Sequence, residues 1–411
     1  MDAPRPRMIP VAEAQANVLN GVARLASEDV SVAESFGRIL AEDVASRMTQ
    51  PPVAVSSMDG YAVRSADVAN VPAGLKLIGE SSAGRGFAGK MGPGETVRIF
   101  TGAPIPEGAD AIVIQEDTDV AGTQITMKES SGAGRYVRPA GLDFAAGQVL
   151  LKAGKRINSR DVALIAGMNV PWVKVTRRPR VAILSTGNEL VMPGDPMGAH
   201  QIISSNSLGL AAFVAAAGGS AVNLGIAIDE PGALRDKLAG IRGMDMLVTI
   251  GGASVGDYDL VKQVAGAEGL DINFSQVAMR PGKPLIFGKI HGVPMLGLPG
   301  NPVSAGVCAT LYLKPAIDVM LGAKTAANAG TVTETAVLGA DVPENDRRQD
   351  YLRSKLELSS AGELTATPFA KQDSSMLAFF AQADCLVVRA PNAPALKKGE
   401  RVPVVRLDPG A

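Results

Sequence analysis

Met246-Leu247-Val248-Thr249-Ile250 is an unbroken apolar and β-branched run that stops at Gly251. A strand of this kind has no polar face to offer water, so it must be covered on both sides. The same texture occurs at Val181-Ala182-Ile183-Leu184, which stops at Ser185-Thr186-Gly187, and over residues 221–228, which stop at Asp229. Helical patterns lie between these runs. Ser205-Asn206 caps a helix to about Ala217, Pro231 opens one through Leu238, and residues 258–265 read as the next. Buried strands alternating with crossover helices predict a parallel sheet with helices on both faces. Ligands in such sheets gather beyond the carboxyl ends of the strands. The turns at Thr186-Gly187-Asn188-Glu189, Asp229 and Gly251 fall at those ends.

The flanks read differently. Residues 10–26 carry Val11, Ala14, Val18, Leu19, Val22 and Leu25 at helical spacing. From about Pro51 to Gly147, glycine and proline punctuate short apolar runs, which indicates an inserted β domain. Residues 159–166 read as a helix with Ser159 as N-cap. Beyond about Lys324 the short alternating runs return and predict a second small β domain. A chain of 411 residues accommodates this division. The net charge of −1 and an aromatic content of 4% give no nucleic-acid footprint. The longest apolar stretch, residues 208–217, is too short to span a bilayer, and residues 1–7 lead into no apolar signal core, so a cytoplasmic protein with no membrane partner is expected. Cys308 and Cys385 sit in apolar segments and read as buried thiols without a disulfide. His200 and His291 have no spaced partners, which leaves zinc sites and Ser-His-Asp triads unsupported.

Three glycine-rich turns carry the chemistry. In the first, Gly251, Gly252 and Gly256 let backbone amides converge, Ser254 adds a hydroxyl, and Asp257 and Asp259 stand at the next helix start. With Asp229 they make a carboxylate set suited to Mg²⁺ beside a phosphate. Asp229 reads equally well as the cap of the helix that Pro231 opens. In the second, Arg280 and Lys283 flank Pro281-Gly282, followed by Pro284. They read either as cations for an oxyanion or as a solvated hairpin. In the third, Leu298-Pro299-Gly300-Asn301-Pro302-Val303-Ser304, Asn301 fits an N-cap with proline at the first helical position. An anion cradle beside a metal site is the equipment of a phosphate-handling enzyme.

Six segments in this order resemble the molybdopterin molybdenumtransferase (MoeA) family, which includes the E domains of gephyrin and its plant counterpart. They are Met58-Asp59-Gly60-Tyr61-Ala62, Thr101-Gly102-Ala103-Pro104, Ser185-Thr186-Gly187-Asn188-Glu189-Leu190, residues 251–259, residues 280–284 and residues 298–304. The resemblance covers nearly the whole chain. It implies an α/β plus β multidomain fold. A central parallel α/β sandwich of the molybdopterin-binding type would span residues 178–324, and an inserted β-rich domain residues 47–146. An elongated linker and dimerisation domain would combine residues 1–46 with 147–177, and a C-terminal β-barrel-like domain would occupy residues 325–411.

The resemblance further implies a head-to-tail homodimer. The implied reaction inserts molybdenum from molybdate into adenylylated molybdopterin, releasing AMP with Mg²⁺ assisting. An enzyme that adenylylates molybdopterin would supply the substrate, and molybdoenzymes or their chaperones would receive the product. Asp59, Asp229, Asp259 and Lys283 would be catalytic. Thr101, Asp143, Glu189, Gly251, Gly252, Ser254, Gly256, Arg280, Pro284, Ser304, Arg353 and Ser374 would bind substrate. Asp229, Asp257 and Asp259 would hold the metal. Ile203-Ser204-Ser205-Asn206 and Asp373-Ser374-Ser375-Met376 depart from the family pattern, and an acidic Asp373 beside an oxyanion predicts that its carboxylate turns outward. Two other classes fit the same chain: a non-catalytic dimeric scaffold of the gephyrin type, and a pterin or nucleotide pyrophosphatase built on the α/β domain.

Overall fold

The computed structural model describes residues 8–251, 269–324, 333–359 and 362–407. Its centre is a six-stranded sheet in the order Ser220–Ala227, Arg180–Thr186, Met246–Ile250, Val293–Leu298, Ile286–Ile290, Asp271–Phe274. The first four strands are parallel, as the apolar runs require. Within this parallel sheet only Ile286–Ile290 runs the other way, antiparallel to both Val293–Leu298 and Asp271–Phe274. The reason is local. His291 and Gly292 join two of the strands with φ of 49° and 79°, the positive-φ pair that suits a tight hairpin.

Period-2 alternation sends side chains to the two faces. Val181, Ile183, Met246, Val248 and Leu296 enter one core with the helices Ser205–Ala217 and Pro302–Cys308. Ala182, Leu184, Leu247 and Met295 enter another with the helix Pro231–Ala239. The helix Pro302–Cys308 continues through a π-helical turn, Ala309–Leu313, into Lys314–Leu321. Pro315 has no N–H for the carbonyl of Leu311, and Gln15 Nε2 donates to it instead at 3.1 Å. This 20-residue helix is long and apolar enough to cross a bilayer by length and composition, but 78% of it is buried inside the fold.

The first helix is Val11–Asn20, shorter than its apolar pattern. It ends at Gly21, and Val22 and Leu25 pack on the same α/β core outside any helix or strand. The strand Ser27–Ser31 pairs with Trp172–Thr176, and Val44–Ala45 with Val149–Leu151, so the segments before and after the insertion share one core around Leu40, Ile157, Ile165 and Val175. There the helix Ser159–Gly167 is capped by Asn158, one residue before the expected Ser159. The Asn158 side chain accepts from the Asp161 N–H at 3.0 Å, and the Asp161 carboxylate accepts from the Asn158 N–H at 3.0 Å.

The insertion folds on a six-stranded mixed sheet with a core on each face. In the C-terminal domain the strand Gln349–Leu358 pairs with both Leu364–Pro368 and Cys385–Arg389. That closes a five-stranded ring with Glu334–Leu338 and Arg401–Arg406, a small barrel. A strand from the α/β domain, Met279–Arg280, adds in parallel to Gln349 and Asp350, so the second glycine-rich turn sits at the seam between the two domains. Cys308 and Cys385 are buried free thiols.

Candidate active site

The carboxyl ends of the central strands open into a cleft of about 690 Å³. Thr186, Glu189, Gly251, Pro284 and Pro299-Gly300-Asn301 line it, together with Ser375 and Leu377 of the barrel domain. The strand-end turns crowd here. Gly251 has φ +87°, and a β-carbon on it would lie 2.7 Å from the Thr186 carbonyl oxygen. Only glycine lets the first glycine-rich loop leave its strand across the neighbouring one. The rest of that loop, with Gly252, Ser254, Gly256, Asp257 and Asp259, lies outside the described residues.

Asp229 is exposed and does not cap the following helix, whose N-cap is Glu230. It pairs instead with Asn188: the Asp229 N–H donates to Asn188 Oδ1 at 2.9 Å, and the Asn188 N–H reaches Asp229 Oδ2 at 3.4 Å. The two turns are thereby tied together, with the rest of the carboxylate open. The Glu189 carboxylate folds back over Gly187.

The cations behave differently from one another. The Lys283 ammonium is half-buried and has no ion-pair partner among the described residues. Arg280 is engaged by Asp350, by Asp346 at 3.3 Å and by Asn345 Oδ1 at 3.3 Å, all from the barrel domain. Its bond to Asp350 raises the guanidinium pKa. Arg280 therefore spends its charge on holding the two domains together. Arg280 is therefore not a residue of a plain solvated hairpin.

Arg353 is 0% exposed, on the central barrel strand. Its Nη2 touches the Lys371 carbonyl at 3.5 Å, while Nε and Nη1 are buried without a hydrogen-bond partner among the described residues. Burial lowers its pKa, with Asp373 opposing. The loop beside it is ordered by its own side chains. Asp373 Oδ1 accepts from the Ser375 Oγ at 2.6 Å and from the Ser375 N–H at 2.8 Å, which holds its carboxyl below the usual range. Asp373 is exposed, with its Oδ1 held by Ser375. Ser374 is bound to Asn301 of the α/β domain, and Ser304 is 5% exposed in the first turn of the helix Pro302–Cys308.

Asp59, Thr101 and Asp143 lie in the inserted domain, exposed, and none lines the cleft; of the expected site residues among those described, Glu189, Gly251 and Pro284 line it, whereas Asp229, Arg280, Lys283, Ser304, Arg353 and Ser374 do not. Asp59 and Thr101 are nevertheless one unit, because the paired strands Gly60–Val63 and Glu95–Ile99 bring their flanking residues together.

Three asparagines emerge from the structure as organisers of the cleft: Asn188 on Asp229, Asn301 on Ser374, and Asn206, whose Nδ2 donates to the Gly300 carbonyl at 2.7 Å. Each stood inside or beside a motif, but turn chemistry alone accounts for an asparagine there. Nothing local reveals which distant atom it serves.

Known families match along the whole chain. Residues 9–168 match the MoeA N-terminal region (domains I and II), residues 182–319 a probable molybdopterin binding domain, and residues 335–407 the MoeA C-terminal region (domain IV). The molybdopterin molybdenumtransferase of Bacillus subtilis is 32% identical over 97% of this chain and 94% of its own length. That of Haemophilus influenzae is 31% identical over 92% and 93%. A solved MoeA protein of Pyrococcus horikoshii superposes with a TM-score of 0.85 at 32% identity, covering 98% of this chain and 99% of its own. The chain belongs to the MoeA family of molybdopterin molybdenumtransferases.

Proposed function

We propose that this chain transfers molybdenum from molybdate to the dithiolene sulfurs of adenylylated molybdopterin and releases AMP. The observation that carries the reading is Arg353. A guanidinium with no exposed surface and two unpartnered N–H-bearing nitrogens is costly unless an anion meets it. Molybdate is a tetrahedral dianion, and the hydroxyls of Ser304 and Ser374 and the ammonium of Lys283 supply further donors of the type it needs. The 690 Å³ cleft at the strand ends accommodates the pterin and adenylate.

Asp229 offers the hard oxygen ligands that Mg²⁺ takes, and its Oδ2 meets only a long bond from Asn188. Asp257 and Asp259, its co-ligands in this reading, lie outside the described residues. Among the described residues no cluster of three potential ligands is gathered, so the assignment rests on the chemistry of the donor set. When bound, the ion neutralises charge on the adenylate phosphate. Neither cysteine fits a covalent nucleophile. Burial pushes the Cys308 thiol far up, and burial raises Cys385 to about 12. In this reading water attacks the adenylyl phosphorus, the P–O–P bond breaks, AMP leaves carrying the new oxygen and molybdopterin keeps its own phosphate; one molybdate oxygen leaves as water with the two dithiol protons as molybdenum binds the sulfurs.

A head-to-tail homodimer accounts for the exposed Asp59–Thr101 pair standing off the cleft, since it would face the cleft of the second copy. An adenylylating enzyme supplies the substrate in this reading, and molybdoenzymes or their chaperones take the product. The test is AMP release from adenylylated molybdopterin with molybdate and Mg²⁺. Asp259→Ala is expected to abolish Mg²⁺-dependent release with the fold intact. Full activity in that variant removes the metal assignment, AMP release without molybdenum incorporation favours a pyrophosphatase, and a dimer without turnover favours a scaffold.

A further inference from the structure

Asn301 and Ser374 belong to different domains and meet side chain to side chain, with Asn301 Nδ2 donating to Ser374 Oγ at 2.9 Å. The backbone repeats the contact: the Val303 N–H donates to the Ser374 carbonyl at 3.1 Å. The first turn of the helix Pro302–Cys308 thus grips both the side chain and the main chain of Ser374. Asn301 spends no side-chain bond on capping its own helix.

The polarity of the bond has a chemical result. A hydroxyl carries one hydrogen and two lone pairs. Asn301 occupies a lone pair of Ser374 Oγ, which leaves the hydrogen to be donated elsewhere, and no group among the described residues accepts it. The neighbouring Ser375 is the opposite case, because its hydrogen is committed to Asp373. Of the two adjacent serines, Ser374 alone is preset as a donor. The loop that carries it passes the buried guanidinium of Arg353, which contacts the Lys371 carbonyl.

We propose that Asn301 is a positioning residue that fixes the polarity of Ser374, turning its hydroxyl hydrogen to the molybdate oxyanion. The inference rests on the reading of Ser374 as an oxyanion contact. It makes a rank order that a merely structural tie between the domains does not. Asp in place of Asn301 keeps a hydrogen bond to Ser374, with the serine now the donor, and Ala loses it. A purely structural Asn301 therefore makes Asn301→Asp the milder variant, with Asn301→Ala worse. If Asn301 sets polarity, Asn301→Asp is the worst variant, because a carboxylate draws the Ser374 hydrogen to itself and adds a negative charge beside the anion.

The experiment is calorimetric titration of the full chain with sodium molybdate alone. Asn301→Asp is expected to weaken binding by tenfold or more, and Asn301→Ala by about threefold to tenfold, the range of one hydrogen bond. Asn301→Ala is expected to cost nothing further in a Ser374→Ala background, since the two act as one unit. Asn301→Asp binding within about twofold of wild type, while Ser374→Ala weakens it, overturns the role of Asn301 and leaves the oxyanion reading standing. So does additivity of Asn301→Ala and Ser374→Ala. Wild-type binding in Ser374→Ala, or no molybdate binding by the wild-type chain, overturns the oxyanion reading and the inference with it.

Discussion

Asp59 Oδ1 accepts two hydrogen bonds from Thr101, one from its N–H at 2.7 Å and one from its Oγ1 at 2.8 Å. The backbone bond and then the hydroxyl bond lower the Asp59 pKa from its ordinary value, with Arg98 adding attraction. A depressed carboxyl contributes above the unfolded-state pKa of about 3.9 and loses that contribution as pH falls through the lower folded value. The shift favours the ionised form of Asp59, and among the described residues no hydrogen bond reaches its second oxygen.

Thr101→Val keeps the amide donor and removes the hydroxyl. Carbon-detected NMR titration of the Asp59 carboxyl is expected to show its pKa rising in this variant, by less than the whole depression. An ordinary carboxylate pKa in the wild-type chain refutes the assignment of the shift to Thr101.

Arg353 is, in the proposed reading, an anion-binding group that the fold tolerates rather than uses. Replacing it with methionine removes a buried charge whose Nε and Nη1 have no partner. Arg353→Met is expected to leave stability unchanged or raise it by about 1–3 kcal/mol in urea unfolding. Molybdate binding and AMP release are expected to fall at least a hundredfold in the same variant. A loss of stability instead shows that the guanidinium is paired within the folded chain.

Gly282 holds the second glycine-rich turn at φ +110°, where a β-carbon would lie 2.6 Å from Cys308 Sγ and 3.0 Å from Met279 Cε. Backbone strain and overpacking then act together. Gly282→Ala is expected to cost about 2–4 kcal/mol. Chemical denaturation measures it, and a change under 1 kcal/mol means the turn repacks around the methyl group.

Asn158, not Ser159, closes the capping box of the helix Ser159–Gly167. Asn158→Ala is expected to lose about 1 kcal/mol of stability, and Ser159→Ala to stay within about 0.5 kcal/mol. Thermal unfolding of the two variants decides it. AMP release is expected to be unchanged in both, because this helix lies outside the cleft.

Some of the architecture is readable from adjacent residues alone. Met246–Ile250 is a buried strand with the expected limits, because five non-polar or β-branched residues leave no face for water. Pro231 and Pro302 open helices where proline's missing N–H costs nothing. The helix Val11–Asn20 ends earlier than its pattern because Val22 and Leu25 reach the same core without helical backbone. The antiparallel hairpin was encoded in His291-Gly292, a turn signal overshadowed by the parallel pattern before it.

The motifs and their order, legible as chain text, settled which family's cleft this chain builds, since spacing of glycine, proline and carboxylate acts over a few residues. Which groups remain available for chemistry was settled in three dimensions. Arg280 and Lys283 are three positions apart and look alike in the sequence, yet an acid 70 residues downstream engages Arg280, while Lys283 has no such partner among the described residues. Asn301 reads as a helix cap until Ser374, 73 residues away, takes its amide. Local propensity sets the backbone, but a charge or a hydrogen-bond donor is consumed by whatever the folded chain brings within about 3 Å, and that pairing is written only in the packing of domains.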